Sequence, residues 1–284
     1  MKRSAALLLF IILVSVGFLL MRPKTVLSRI NILVGSDPVV IWSWDREAET
    51  FTVITLPAGL ATDAPGYGRY SLESLWKLGF IDKKDGSVLA RGLTDALAIP
   101  IPWFIGETGD GFRQTTRFSP FQKKVTNMPF LTFLSFWWEV SRARPDAVET
   151  IDFVGNAPVA KETLPDGSVR QYIDPERADE MLKGQFEDER IRAENLTVGV
   201  YNTTNTPALG TSAARLLTTQ GVLVVTVGNS EPEIQECRVE GSELSLQTRT
   251  ASVIEELLGC TKNATGSEAR VDLTVRLGSD YASR

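Results

Sequence analysis

The sequence predicts an α/β protein, with an N-terminal transmembrane helix, a first α/β module on a mixed sheet and a small second module of order β-α-β-β-α-β. Three observations predict it. An uncharged run, Ser4 to Met21, opens the chain between Lys2 and Arg3 on one side and Arg22, Lys24 and Arg29 on the other. Beyond it, short β-branched and aromatic runs alternate with stretches of helical apolar spacing, the pattern of sheets covered by helices. A charge-rich stretch, 161–194, then divides that pattern in two.

As a helix, the run Ser4–Met21 would span roughly 27 Å, close to the hydrocarbon thickness of a bilayer. It closes in Gly17-Phe18-Leu19-Leu20-Met21 rather than a small-residue cleavage site, which favours an uncleaved signal anchor over a cleaved signal. Positive charge on both flanks leaves the orientation open by charge alone. Cys237 and Cys260 are the only cysteines. Paired, they would close a loop worth about 3 kcal/mol outside a reducing cytosol; the alternative is two unrelated buried thiols. The expected location is therefore the cell membrane, single-pass, with the downstream domains extracytoplasmic.

Composition excludes much chemistry. Lys+Arg 30 against Asp+Glu 35 gives a net charge of -5, with no basic excess for a dedicated nucleic-acid binder. Histidine is absent, which removes Ser-His-Asp and Cys-His triads and imidazole-ligated zinc. Two cysteines cannot by themselves build an all-thiolate zinc site or hold an iron–sulfur cluster.

Along the chain, Ile30–Val34, Val39–Trp44 and Thr50–Leu56 read as strands, the last two joined by the charged turn Asp45–Glu49. Their weak alternation suits a sheet buried on both faces. Ser71 is placed to cap a helix presenting Leu72, Leu75 and Trp76, and Gly79 to end it. A second helix runs from Ser87 to Ala98. The aromatic segment Leu131–Val140 puts Phe133, Phe136, Trp137 and Val140 on one face, either as a core helix on the sheet or as a surface that touches lipid. Thr150–Val154 returns as a strand. From Lys161 to Glu194 we expect a solvated connector with one docking helix. Leu196–Tyr201 is then a strand, Asn202–Thr206 a polar loop, Pro207–Gln220 a helix stopped by Gly221, and Val222–Val227 a buried valine strand. A strand near Cys237–Glu240, a helix near Thr248–Leu258 and a strand Val271–Leu277 follow. The disulfide would tie the third of these strands to the end of the second helix. The boundaries are 1–29 for the cytoplasmic tip, anchor and juxtamembrane segment, 30–158 for the first domain, 159–194 for the connector and 195–284 for the second domain.

The second domain resembles the LytR C-terminal domain of exported bacterial envelope proteins. Val198-Gly199-Val200-Tyr201-Asn202, Leu209-Gly210-Thr211-Ser212-Ala213-Ala214, Val224-Val225-Thr226-Val227-Gly228-Asn229 and Val275-Arg276-Leu277-Gly278-Ser279-Asp280-Tyr281-Ala282 carry the likeness. The first domain resembles the LytR-CpsA-Psr ligase domain through Asn31-Ile32-Leu33-Val34-Gly35-Ser36-Asp37, Thr52-Val53-Ile54-Thr55-Leu56-Pro57, Pro65-Gly66-Tyr67-Gly68 and Leu97-Ala98-Ile99-Pro100-Ile101. That resemblance implies transfer of a glycopolymer from a lipid pyrophosphate to peptidoglycan, with arginines on the pyrophosphate, acidic residues on Mg²⁺ and an apolar tunnel for the lipid.

Such a transfer needs cations and an oxygen-ligated divalent ion at the leaving group. Here the family's Pro-Arg-Asp reads Pro57-Ala58-Gly59, so guanidinium and carboxylate are both missing. Asp37 could hold a metal or simply form a turn before Pro38. Arg69, and beyond it Arg113 and Arg117, could meet an anion. In the second domain, Asn202, Thr203 and Asn205 precede a helix whose free N–H groups favour anions or sugar oxygens, though N-capping explains the same residues. The reading is a degenerate, non-catalytic ligase-like domain in a membrane-anchored envelope protein. It would act as a binding or scaffold factor in wall-glycopolymer assembly, without a cofactor. Its expected partners are the membrane through the N-terminal helix, and peptidoglycan, wall glycopolymer or envelope-assembly proteins, with no nucleic acid. The alternative is an active, Mg²⁺-using glycopolymer transferase.

Overall fold

A computed structural model describes residues 26–107, 125–153, 158–265 and 270–283. In the first sheet, β1 (Arg29–Gly35), β2 (Val39–Asp45) and β3 (Thr50–Leu56) form an antiparallel meander. The Asp45 carboxylate shapes its second turn by accepting from the Glu47 and Ala48 amides at 2.9 and 3.0 Å. Two pieces, α1 (Leu72–Ile81) and α2 (Ser87–Leu97), cover one face. After them β6 (Trp103–Gly106) pairs parallel to β1, and β7 (Val125–Thr126) closes that edge. The helix α3 (Phe130–Arg142) covers the other face through Phe133 and Phe136, and β8 (Val148–Asp152) adds parallel to β3. Cover on both sides explains why β1 is buried almost throughout and shows no alternation. The aromatic segment is thus a helix packed on the sheet, although Phe130, Leu131 and Trp138 on its outer side are exposed.

The second sheet has the order β5-β4-β10-β9. It combines β4 (Ala61–Ala64) and β5 (Gly68–Ser71) with the hairpin β9 (Val159–Thr163) and β10 (Val169–Ile173). Two short helices follow, α4 (Pro175–Leu182) capped by Asp174 and α5 (Glu189–Glu194) capped by Asp188. Ile173, Ala178, Leu182 and Phe186 belong to the same core as Leu33, Ile54 and Trp76. The charged stretch therefore adds Ile173 to the first core, together with Ala178, Leu182 and Phe186 at helical spacing on and just after the docking helix expected there.

The third sheet, order β12-β11-β15-β13-β14, has its own core. Its elements are β11 (Thr197–Asn202), α6 (Leu209–Thr219), β12 (Leu223–Asn229), β13 (Arg238–Gly241), α7 (Glu243–Leu246), α8 (Arg249–Leu258), β14 (Thr261–Ala264), β15 (Leu273–Leu277) and α9 (Ser279–Ala282).

The α/β class is as expected, but the expected fold needs correcting. The transmembrane helix placed at Ser4–Met21 lies outside the described residues, and among those no helix is long and apolar enough to cross a membrane. The longest of them, α3, has 13 residues and reaches only about 20 Å. The β-α-β-β-α-β order gains a fifth strand, β14, whose sequence Thr261-Lys262-Asn263-Ala264 lacks the apolar alternation that marks a strand. The strand read as buried, β12, is an edge strand with Leu223, Val225 and Val227 exposed. Gly79 does not end α1; it is buried inside it, and a Cβ there would stand 1.8 Å from the Asp85 carbonyl oxygen, which folds back over the helix.

Candidate functional site

In parallel sheets ligands settle beyond the carboxyl ends of the strands. Here that place lies beyond Gly35 of β1 and Gly106 of β6, next to Asp37. It is filled from inside by Trp76. The indole is fully buried, and a Cβ on Gly35, Gly86 or Gly106 would approach its ring to 2.6, 2.5 and 2.2 Å. Phe80 and Phe104 pack edge-on against it at 5.6 and 6.0 Å. Asp37 is exposed in the β1–β2 turn, and no hydrogen bond or ion pair holds its carboxylate among the described residues.

The turn Pro57-Ala58-Gly59 follows β3. The Leu60 amide donates to the Pro57 carbonyl at 3.0 Å, and the Glu73 amide at the start of α1 donates to the Ala58 carbonyl at 3.1 Å. Ala58 is buried, while Gly59 faces open space. With no carboxylate on this turn and Asp37 standing alone, these residues do not fit Mg²⁺, which needs clustered oxygen ligands. Among the described residues no group of three or more acidic or thiol side chains could hold a metal ion.

Arg69 is engaged. Its guanidinium meets Asp63 at 2.7 Å and Glu162 at 3.0 Å and lies 3.9 Å over the Tyr172 ring. Arg170 donates to the Arg69 carbonyl at 3.0 Å and pairs with the same Glu162 at 3.2 Å. The hydrogen bonds it donates to Asp63 hold the Arg69 guanidinium firmly charged, and those donated by Arg69 and then Arg170 hold Glu162 below the usual carboxylate range. This cluster clasps β5 to β9 and β10. Asp37 and Arg69 sit on different sheets, and Arg113 and Arg117 lie outside the described residues.

In the second module the polar loop is occupied by its own backbone. The Asn202 amide nitrogen donates to the Thr206 carbonyl at 2.8 Å, and its oxygen accepts from the Thr204 amide and hydroxyl at 2.9 and 2.8 Å. The Thr203 hydroxyl donates to the Leu277 carbonyl at 2.7 Å. Asn202 and Thr203 are both buried, and Asn205 is exposed. The helix begins two residues later than Pro207, at Leu209, with Ala208 as a left-handed cap and no side-chain cap bond. Asn202 and Thr203 thus shape the turn between β11 and α6.

Cys237 and Cys260 form a disulfide with Cα atoms 4.4 Å apart, joining the start of β13 to the end of α8 as expected, and both are buried. Two arginines absent from the sequence-based candidates dock the modules. Arg215 on α6 pairs bidentately with Asp179 on α4 at 2.6 and 2.7 Å and donates to the Asp95 carbonyl near the end of α2 at 2.8 Å. Arg249 at the start of α8 meets Asp188 at 2.6 Å and Glu47 of the β2–β3 turn at 3.4 Å. Burial alone would raise the Asp188 carboxyl, but Arg249 and the Arg190 amide outweigh it and hold it low. Glu194 is likewise held low against burial by the Thr250 hydroxyl and amide and the Arg249 amide.

Among the described residues, helices pack on one face of the third sheet, over Val200, Val239 and Val275. The register puts Gly228, Tyr201, Arg276 and Arg238 in one row across the opposite face, with Gly199, Thr274 and Glu240 in the next. Apart from Gly228, these residues lie in strands that the sequence predicts, and it is the pairing of four separate strands that assembles them.

Residues 195–281 match the LytR_C family, described as LytR cell envelope-related transcriptional attenuator. The match coincides with the module marked by the sequence resemblance. No curated protein sequence matches the chain. Similar solved structures include B. subtilis TagV, 10% identical with a TM-score of 0.38, covering 54% of this chain and 92% of that one. B. subtilis TagT is 11% identical with a TM-score of 0.40, covering 56% and 91%. The LytR-CPS2A-psr family protein YwtF (TagT) with bound octaprenyl pyrophosphate lipid is 10% identical with a TM-score of 0.40, covering 56% and 90%.

Proposed function

We propose that this protein is an extracytoplasmic cell-envelope factor that binds wall glycopolymer, or the enzymes that assemble it, and does not itself transfer polymer. One observation carries the reading. Where the resembled ligase family places an arginine and a carboxylate, this chain has Pro57-Ala58-Gly59, its Ala58 carbonyl tied to the start of α1. Removing a bidentate arginine–phosphate contact costs several kcal/mol of transition-state stabilisation. Arg69, the remaining candidate cation, is already matched by two carboxylates. The buried Cys237–Cys260 disulfide supports a compartment outside the reducing cytosol.

The test is incubation of the purified full chain with labelled lipid-pyrophosphate-linked polymer and insoluble peptidoglycan. The expected outcome is retention of polymer on the protein with no label moved covalently to peptidoglycan. Transfer that disappears in Asp37→Ala would overturn the reading in favour of an active transferase.

A further inference from the structure

We propose that the uncovered face of the third sheet is the binding platform for an anionic polysaccharide, with Tyr201 beneath the sugar ring and Arg238 and Arg276 on its acidic group. The proposal rests on the glycopolymer-binding reading above and assigns it a surface.

The register places Arg238 of β13 directly opposite Arg276 of antiparallel β15. Like charges in that relation destabilise a sheet, so a folded protein gains nothing from this pair unless something negative lies between them. Among the described residues the face does not supply it. Glu240 stands opposite Thr274, one row away, and among the described residues forms no ion pair with either arginine. Arg276 donates one nitrogen to the Ser230 hydroxyl at 2.8 Å, which steadies it, and Arg238 has no side-chain partner among the described residues. Guanidinium groups carried by two directly opposed residues suit the oxygens of a phosphodiester or a carboxylate.

Tyr201 is the neighbour of Arg276 on β11 and of Gly228 on β12. A Cβ on Gly199 would stand 3.1 Å from its ring and one on Gly228 3.7 Å. Two glycines therefore leave the ring room to lie against the sheet as a flat apolar surface, the shape that accepts the C–H face of a pyranose. Thr226 and Thr274 flank it on the neighbouring strands, and Thr261 and Asn263 stand beside Arg238 and Glu240 at the far edge of the same face, offering donors and acceptors to hydroxyl groups. Two arginines in one row suit an acidic group on a sugar, whereas the dense phosphate backbone of a nucleic acid calls for a longer basic stripe.

The experiment titrates the full-length protein, by calorimetry at low and moderate salt, with polygalacturonate, phosphomannan, neutral dextran and single-stranded oligodeoxythymidine. Binding to one or both anionic glycans, weakened by salt and absent with dextran, is the expected result; the tighter of the two identifies the acidic group. Arg238→Gln and Tyr201→Ala are each expected to weaken binding about tenfold, the size of a lost charge-assisted or stacking contact. Arg238→Gln should leave the Tm equal to or above that of the parent, because it removes a like-charge pair, so its loss of binding cannot come from unfolding. Anionic-glycan binding that both variants retain overturns the platform while leaving the glycopolymer reading intact. Equal binding of dextran, or binding of the oligonucleotide alone, overturns the platform's ligand. No binding to any glycan overturns the platform and the glycopolymer half of the reading, and leaves the assembly enzymes as the partner.

Discussion

Trp76 shows how single residues decide what the first module can hold. Its indole occupies the space beyond β1 and β6 because Gly35, Gly86 and Gly106 have no Cβ to exclude it. Gly106→Ala would put a methyl 2.2 Å from the ring, and overpacking of that kind costs about 1–3 kcal/mol or more. The expected outcome in urea is a lower midpoint with an unchanged slope. Trp76→Ala is expected to cost about 3–5 kcal/mol, because the cavity it leaves is bounded by rigid strands. Trp76 was legible as a core residue from its place beside Leu72 and Leu75. Its contact with three glycines was not, since those glycines come from two strands and the start of a helix far apart in the chain.

Among elements, those whose composition matched their surroundings were readable. The first three strands, α1, α2, α8 and the disulfide loop follow from apolar spacing, caps and cysteine count. The elements misread are those where position in the sheet overrides composition. β12 is uncharged and valine-rich like a central strand, yet it lies at an edge, and β14 is polar because it lies at the opposite edge and sends Lys262 to Ser252 and Glu255 on α8. The helix-to-helix dock is of the same kind. Arg215 satisfies two carboxylate oxygens and the Asp95 carbonyl at once, a geometry that lysine cannot copy. Arg215→Met is expected to lower stability by about 2 kcal/mol through those lost charge-assisted bonds. Hydrogen exchange should show faster amides at the α2 and α4 ends of the contact, with β13 and β15 unchanged.

For the whole molecule, two features set the response to its medium. Asp188 and Glu194 both sit below their unfolded values, and both tie α5 to the start of α8. Their contribution is complete above the unfolded carboxyl values of about 4 and is lost as the pH falls through the lowered folded ones. Thermal melts between pH 6 and 3 should therefore show a steep loss of Tm at the acid end, flattened in Asp188→Asn, which is already less stable at pH 6. The disulfide acts in the same module. Its reduction, or a double Cys→Ala variant, is expected to remove about 3 kcal/mol, the entropy of a closed loop of 23 residues. A Tm unmoved by reducing agent would show that the core of the third sheet holds without it.

Local pattern sufficed for what depends on neighbours in the chain: the α/β class, most strands and helices, the pairing of two cysteines, the resemblance of the last module, and the missing charges at Pro57-Ala58-Gly59. Tertiary structure decided what depends on partners far away in sequence. It placed Arg69 between Asp63 and Glu162, turned Asn202 and Thr203 inward, drew buried residues of 159–194 into the first core, and assembled Tyr201, Arg238 and Arg276 on one face. The physical reason is that periodicity tells which side of an element is apolar, whereas the charge a side chain meets is set by strand order and register, and these emerge only when the sheets close.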